Sequence, residues 1–317
     1  MRSSSEIRVD GSRSGALSSA AMSSLSVSVH ESWRERARPW LVLGRVSNLP
    51  TVWSNCLAAW LLGGGGTGAR FLVLLVGASL MYLGGLLLND YWDAEFDRRH
   101  RPERPIPAGQ VDVRTVGWAG IGAVGLGWVL VACLGKTTAV LGLLLVAAIA
   151  VYDASHKLTT WGPPVMALCR YLLFVMAGSA ALDGVDGTIV WSGLVLGGYI
   201  VGLSYIAQRE STRGPVCWWA LVGLAAPLVL SLFVVPPYWL TSARFVPAWL
   251  LVGWTAWAIT HLVRGGPAGA SKTVAALLAA IPLVDLLAVL PPPWPWGVVF
   301  LALFGSARWL QRVAPAT

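Results

Sequence analysis

The chain has 317 residues, of which 56% are hydrophobic and 12% charged, with a mean hydropathy of +0.66. This composition excludes a water-soluble globular domain and leaves length for many membrane spans of about 20 residues each. The net charge of +8 does not point to nucleic acid, because the basic residues fall between apolar runs. The four cysteines and four histidines stand singly, which excludes a disulfide framework and a Cys/His metal centre.

In chain order, residues 1–38 are Ser-rich, contain only a short apolar stretch, and are expected to form a flexible tail rather than a signal peptide. Apolar runs follow at 40–62, 70–88, 115–135, 137–152, 164–182, 189–207, 216–235, 246–263, 273–290 and 295–311. They give ten candidate spans, or nine if one is re-entrant or two merge. The expectation is an all-α integral membrane protein, a bundle of nine to ten transmembrane helices. Arg45, Asn48 and Asn55 interrupt the first run. Polar groups at membrane depth are costly and face a bundle interior or a wet cavity. Arg45 and Asn48, one turn apart, are candidates for binding a carboxylate or a phosphate. The competing reading has Arg45 snorkelling to the interface and Asn48 bonding another helix.

The second run ends in Asn89-Asp90-Tyr91-Trp92-Asp93-Ala94-Glu95-Phe96-Asp97, then Arg98-Arg99-His100-Arg101. With about 100° per residue, positions i, i+3 and i+7 share one helix face, which aligns Asp90, Asp93 and Asp97. Three carboxylates at a helix C-terminus repel one another and oppose the macrodipole. They call for a cation, and Mg²⁺, with its preference for carboxylate oxygens, water and substrate phosphates, suits them. The arginines that follow offer partners for phosphate oxygens. A solvated helix end with pairs such as Asp97 with Arg101 is the alternative.

Together with Arg101-Pro102-Glu103-Arg104-Pro105-Ile106-Pro107-Ala108-Gly109, this segment resembles the first aspartate-rich motif of the UbiA family of intramembrane prenyltransferases. The resemblance covers about residues 40–290. It implies a prenyltransferase domain at 39–313, with spans around a central cavity capped on the cytoplasmic side. It also implies Mg²⁺-dependent transfer of a polyprenyl group from its diphosphate to an aromatic or other lipid-pathway acceptor within the membrane. Asp90, Asp93 and Asp97 become the catalytic and metal-holding set. Arg45, Asn48, Asn89, Arg101, Tyr152, Lys157, Arg170, Arg209 and Glu210 become candidates for substrate binding. The faces of Tyr91 or Tyr152 could stabilise positive charge on the prenyl carbon. Arg45-x-x-Asn48-Leu49-Pro50-Thr51 looks nearest to the 4-hydroxybenzoate branch.

Tyr152-Asp153-Ala154-Ser155-His156-Lys157 is similar to the family's tyrosine-to-lysine stretch after its fourth helix. Lys157 would bind diphosphate there, or else serve topology alone. After the sixth run, where the family carries a second aspartate set, the chain reads Gln208-Arg209-Glu210-Ser211-Thr212-Arg213. One acid remains, and an arginine replaces the charge of a second Mg²⁺. That departure leaves open a non-catalytic membrane carrier or assembly protein that has kept the fold and one motif.

If both termini are cytoplasmic, fifteen basic residues from Arg34 to Arg312 lie inside, and only Arg70, Lys136 and Arg244 outside. The bias supports an even number of spans, a bacterial cytoplasmic membrane, and an acidic motif facing the cytoplasm. Arg170 within the fifth run and Asp285 within the ninth are further polar residues in apolar surroundings. The expected partners are a polyprenyl diphosphate, its acceptor and membrane lipids, with no nucleic acid.

Overall fold

The computed structural model describes residues 36–155, 161–212, 218–233, 245–264, 266–289 and 294–314. It divides the chain into Met1–Leu41 and Val42–Thr317, and the second unit contains the helical bundle. A 3₁₀ turn, Val46–Asn48, leads into α1 (Leu49–Leu62), α2 (Gly68–His100), α3 (Val113–Ala132), α4 (Lys136–Ser155), α5 (Gly162–Ser179) and α6 (Gly187–Thr212). Then come α7 (Trp218–Phe233), α8 (Phe245–Arg264), α9 (Gly266–Ala279), α10 (Ile281–Val289) and α11 (Trp294–Leu310). No strand occurs among the described residues. Only helices can satisfy every backbone group within one segment in a medium without water.

The described part of each of the ten apolar runs is mostly helical. Among the described residues seven helices are long and apolar enough to cross a membrane, with Gly269–Val289 counted as one, and Trp219–Val229 and Pro295–Leu310 are shorter apolar helices. The protein is an all-helical integral membrane protein. Two runs differ in detail from a continuous span. The first is broken at Gly44-Arg45, where Arg45 takes the left-handed conformation at φ 40°. The ninth is broken at Ala280, just before Pro282, which has no N–H to continue the ladder.

α1 lies at the centre. Pro50, Thr51, Val52 and every residue from Ser54 to Trp60 are buried, and α1 packs against α2, α5, α10 and α11. Apart from Trp53, which is exposed, the middle of α1 presents no solvent or lipid face, so its buried polar residues must find partners inside the bundle.

The helix pair α2 and α3 packs on glycine. A Cβ on Gly84 would stand 2.8 Å from the carbonyl oxygen of Gly120, and one on Gly127 would stand 2.7 Å from that of Gly77. Small residues let backbones approach where lipid supplies no hydrophobic drive for helix association. The loops at the far end from the acidic motif are tied by Arg70, whose Nη2 donates to the carbonyls of Leu134 at 2.7 Å and Ala180 at 3.3 Å. Leu182 and Asp183 also donate backbone N–H bonds to Gly65 and Gly63. Asp112 caps α3 by accepting from the Thr115 N–H at 3.0 Å. These bonds to the ionised carboxylate hold it below the usual aspartate range.

Gly84→Val should destabilise the protein by about 2 kcal/mol, because the added atoms meet backbone rather than a movable side chain. Gly125→Ala on α3, which meets nothing within 4 Å, should change little. Unfolding in mild detergent distinguishes the two.

Candidate active site

The last turns of α2 divide by face. Asn89, Asp90, Asp93, Ala94 and Asp97 are buried, whereas Glu95 is exposed and pairs with Arg98 at 2.8 Å and Arg99 at 2.9 Å. The helical period thus sends three carboxylates into the bundle and leaves the fourth acid outside with two of the arginines. Tyr91 is exposed and lies against Gly117 of α3, so it does not share the aspartate face and cannot offer its ring there.

Two arginines reach the buried carboxylates. Arg104, in the loop after α2, places Nη1 2.8 Å from Asp97 Oδ2 and 3.4 Å from Asp90 Oδ1. Arg45 places Nη2 3.8 Å from the same Asp90 oxygen. Its left-handed backbone is uncommon for a residue with a Cβ and comes immediately before the 3₁₀ turn. Asn89 donates from Nδ2 to Asp153 Oδ1 at 3.2 Å, which links α2 to α4 and brings a fourth buried carboxylate to the group.

Among the described residues the cluster brings together four acids and two guanidinium groups. Asp97 Oδ1 is buried without a hydrogen-bond partner. An unpaired buried anion oxygen is costly, and a hard cation would relieve it. The donor set is all oxygen, which fits Mg²⁺. Among the described residues no three acids, cysteines or histidines converge on one point. Arg104 instead spans the gap between Asp90 and Asp97.

Behind this cluster lies a second polar network. Asp285 Oδ2 accepts from Ser54 Oγ and from Asn55 Nδ2, the latter at 2.8 Å. Arg170 donates from Nη1 to Asn55 Oδ1 at 3.0 Å and from Nη2 to Thr51 Oγ1 at 3.2 Å, and it lies 5.5 Å from the centre of the Tyr82 ring. Asp285 and Arg170 are therefore connected through the amide of Asn55 rather than in direct contact. α1, α5 and α10 are locked together by these bonds.

Asn48 is buried beside Arg45, and its carbonyl accepts from Thr51 Oγ1 at 2.7 Å. Tyr152 is half-buried, near enough to Arg45, Asp153 and Asp93 to interact electrostatically. Arg101 is exposed, and its backbone N–H bonds to the Asp97 carbonyl at 2.7 Å. Its guanidinium makes no ion pair with Asp97, whose partner is Arg104. Lys157 lies outside the described residues, as do the side chains of Arg209 and Glu210 at the end of α6.

Sequence reasoning passed over Arg104, Asp153 and Thr51 as site residues. Arg104 was signalled by its place between Pro102 and Pro105, which stiffen the loop. Asp153 was signalled as a lone acid beside Tyr152 at the end of an apolar run.

The profile of the UbiA prenyltransferase family matches residues 47–267, well over half of the chain. The chain belongs to the UbiA family. Among its curated relatives, the digeranylgeranylglyceryl phosphate synthase of Sulfolobus acidocaldarius is 31% identical over 45% of this chain and 50% of its own length. The 4-hydroxybenzoate octaprenyltransferase of Pectobacterium atrosepticum is 34% identical over 55% of this chain and 52% of its own. The chain thus spans about half the length of the curated relatives it matches. Among solved structures, a UbiA homologue from Aeropyrum pernix K1 superposes with a TM-score of 0.61 at 17% identity, covering 77% of this chain and 96% of that one. A structure of digeranylgeranylglyceryl phosphate synthase gives 0.55 at 18%, covering 86% and 99%. These confirm the helical fold of the UbiA family.

Asn89→Ala should cost about 1–3 kcal/mol by removing a donor from buried Asp153. Asn89→Asp should cost more, because two buried carboxylates then face each other. Thermal unfolding of both variants checks the order.

Proposed function

We propose that this chain is a membrane prenyltransferase that moves a polyprenyl group from its diphosphate to an aromatic or lipid-pathway acceptor, with Mg²⁺ held at Asp90, Asp93 and Asp97. The observation that carries the reading is the buried carboxylate face of α2, reached by two arginines and holding an unpartnered Asp97 oxygen. The names of the relatives that match at both of these acceptor types support it.

In the reaction the allylic C–O bond breaks, its electron pair leaves with the diphosphate, a bond forms from the acceptor to the prenyl carbon, and the acceptor loses a proton. Mg²⁺, when bound, neutralises the leaving diphosphate. The chain's own residues do the rest. Arg45 and Arg104 are placed to transfer their N–H donors from carboxylate to phosphate oxygens, which are similar acceptors for a planar guanidinium. Asp153 fixes Asn89, and with it the α2 face. Tyr152 is placed to offer its ring to the positive charge that grows on the prenyl carbon. The Arg170–Asn55–Asp285 network holds α1, which carries Arg45 and Asn48 at its N-terminal end. Arg209, Glu210, Lys157 and Arg101 complete the proposed set around the diphosphate. The region 39–313 forms the catalytic domain behind a 1–38 tail. The site opens to the cytoplasm of a bacterial inner membrane, in line with the basic residues flanking it.

The test is formation of a lipid-soluble product from labelled prenyl diphosphate and a panel of aromatic and lipid acceptors. Product should form with Mg²⁺ and not with EDTA. Asp93→Asn should lower turnover at least a hundredfold while the protein still inserts, in line with loss of an electrostatic contribution of about 3 kcal/mol. Diphosphate binding with no product from any acceptor would instead favour the carrier reading, which the single acid at Glu210 motivates. Arg104→Gln should raise the KM for prenyl diphosphate about tenfold or more, measured with acceptor saturating.

A further inference from the structure

Four basic residues lie on α8, α9 and α11 or just past the end of α11. After position 209 the sequence has only two acidic residues, Glu210 and Asp285. Asp285 is buried with Ser54 and Asn55. Arg264, Lys272, Arg308 and Arg312 form no ion pair among the described residues.

These helices are tied to one another. Thr273 Oγ1 donates to the Ala258 carbonyl at 2.9 Å, and Gly269 approaches the His261 carbonyl so closely that a Cβ would collide with it. α8 and α9 thus form a tight hairpin with Arg264 at its tip. α11 lies over that hairpin. Gln311 Nε2 donates to the Ala275 carbonyl at 2.8 Å, and Arg308 Nη1 donates to Gln311 Oε1 at 2.8 Å.

Arg308 is held in place rather than merely present. Its guanidinium carbon lies 5.4 Å from the centre of the Trp254 ring and 5.9 Å from that of Trp257. Trp254 is itself fixed by its indole N–H to the Ala276 carbonyl at 2.9 Å. Topology requires positive charge at a cytoplasmic end but does not require an ordered guanidinium. Two indoles and a bracketing amide pre-orient this one, and among the described residues one of its N–H groups meets a protein acceptor. Arg312, in the turn just past the end of α11, brings a like charge near Arg308, and the two repel unless an anion lies between them. Trp309 and Trp257 are exposed beside them, as indoles are at the level of lipid headgroups.

We propose that Arg308 and Arg312, with Arg264 and Lys272, form a binding site for the phosphate headgroup of an anionic phospholipid. The arginine fork matches a phosphate, the exposed indoles match the adjoining glycerol and acyl region, and no described acid pairs with these cations. The site uses none of the residues assigned to prenyl transfer.

The full-length protein in detergent is titrated with phosphatidylglycerol and, separately, phosphatidylcholine, and bound lipid is counted by native mass spectrometry. Phosphatidylglycerol should bind about tenfold more tightly. Arg308→Gln and Arg312→Gln should each weaken it about fivefold, as expected for loss of one cation near an anionic lipid, with phosphatidylcholine unchanged. Arg312 is exposed, so its variant keeps the test valid if Arg308→Gln disturbs the indole stack. Arg114→Gln, a basic residue at the start of α3, should have no effect. Equal binding of the two lipids would overturn the proposal. So would equal weakening by Arg114→Gln, or displacement of the lipid by glycerol 3-phosphate at matching concentration, which would mark a free-anion site.

Discussion

Buried negative charge without water governs this structure. Asp90, Asp93, Asp97 and Asp153 are each under a tenth exposed, and among the described residues Arg45, Arg104 and Asn89 reach three of them. A carboxylate removed from water needs a charge partner and hydrogen bonds together, and the Coulomb gain alone does not repay its desolvation. Arg45, with its left-handed backbone, approaches Asp90, and Arg104 reaches back across two turns of α2 to Asp90 and Asp97. One oxygen of Asp97 still lacks a partner, and a divalent ion with a diphosphate would complete this arrangement.

The same constraint explains the central helix. Thr51, Ser54 and Asn55 of α1 are fully buried, so they must be satisfied by neighbouring helices. They are, through Arg170 from α5 and Asp285 from α10. Such bonds in a bilayer are modest individually, but they are directional and fix the rotation of α1. The turn before α1 carries Arg45. The orientation of a helix deep in the bundle thereby becomes the position of a cation at the acidic face, while the glycine seam between α2 and α3 sets how closely that face approaches its own capping loop.

Much of this was legible in the residues. The described parts of the ten apolar runs are mostly helical, because apolar length in a bilayer leaves no other backbone solution. The aspartate face followed from helical period alone, down to the exclusion of Glu95. Other features depend on contacts that sequence spacing does not encode. Nothing local makes Arg104 rather than Arg101 the partner of Asp97, since the choice depends on how the proline-bounded loop turns back. The bridge from Asp285 to Arg170 through Asn55 joins residues more than a hundred positions apart. The break at Gly44-Arg45 was hidden within an apolar run that, by hydropathy, reads as one span.

The central claim is that the carboxylate face of α2 holds a divalent ion against the diphosphate of a prenyl substrate. Mn²⁺ in place of Mg²⁺, bound together with an unreactive prenyl diphosphate analogue and observed by electron–nuclear double resonance, tests it most directly. The account predicts tightly bound Mn²⁺ with resolved coupling to phosphorus, and loss of that signal in Asp97→Asn. Mn²⁺ that binds equally well in the variant, or that shows no phosphorus coupling, would contradict it.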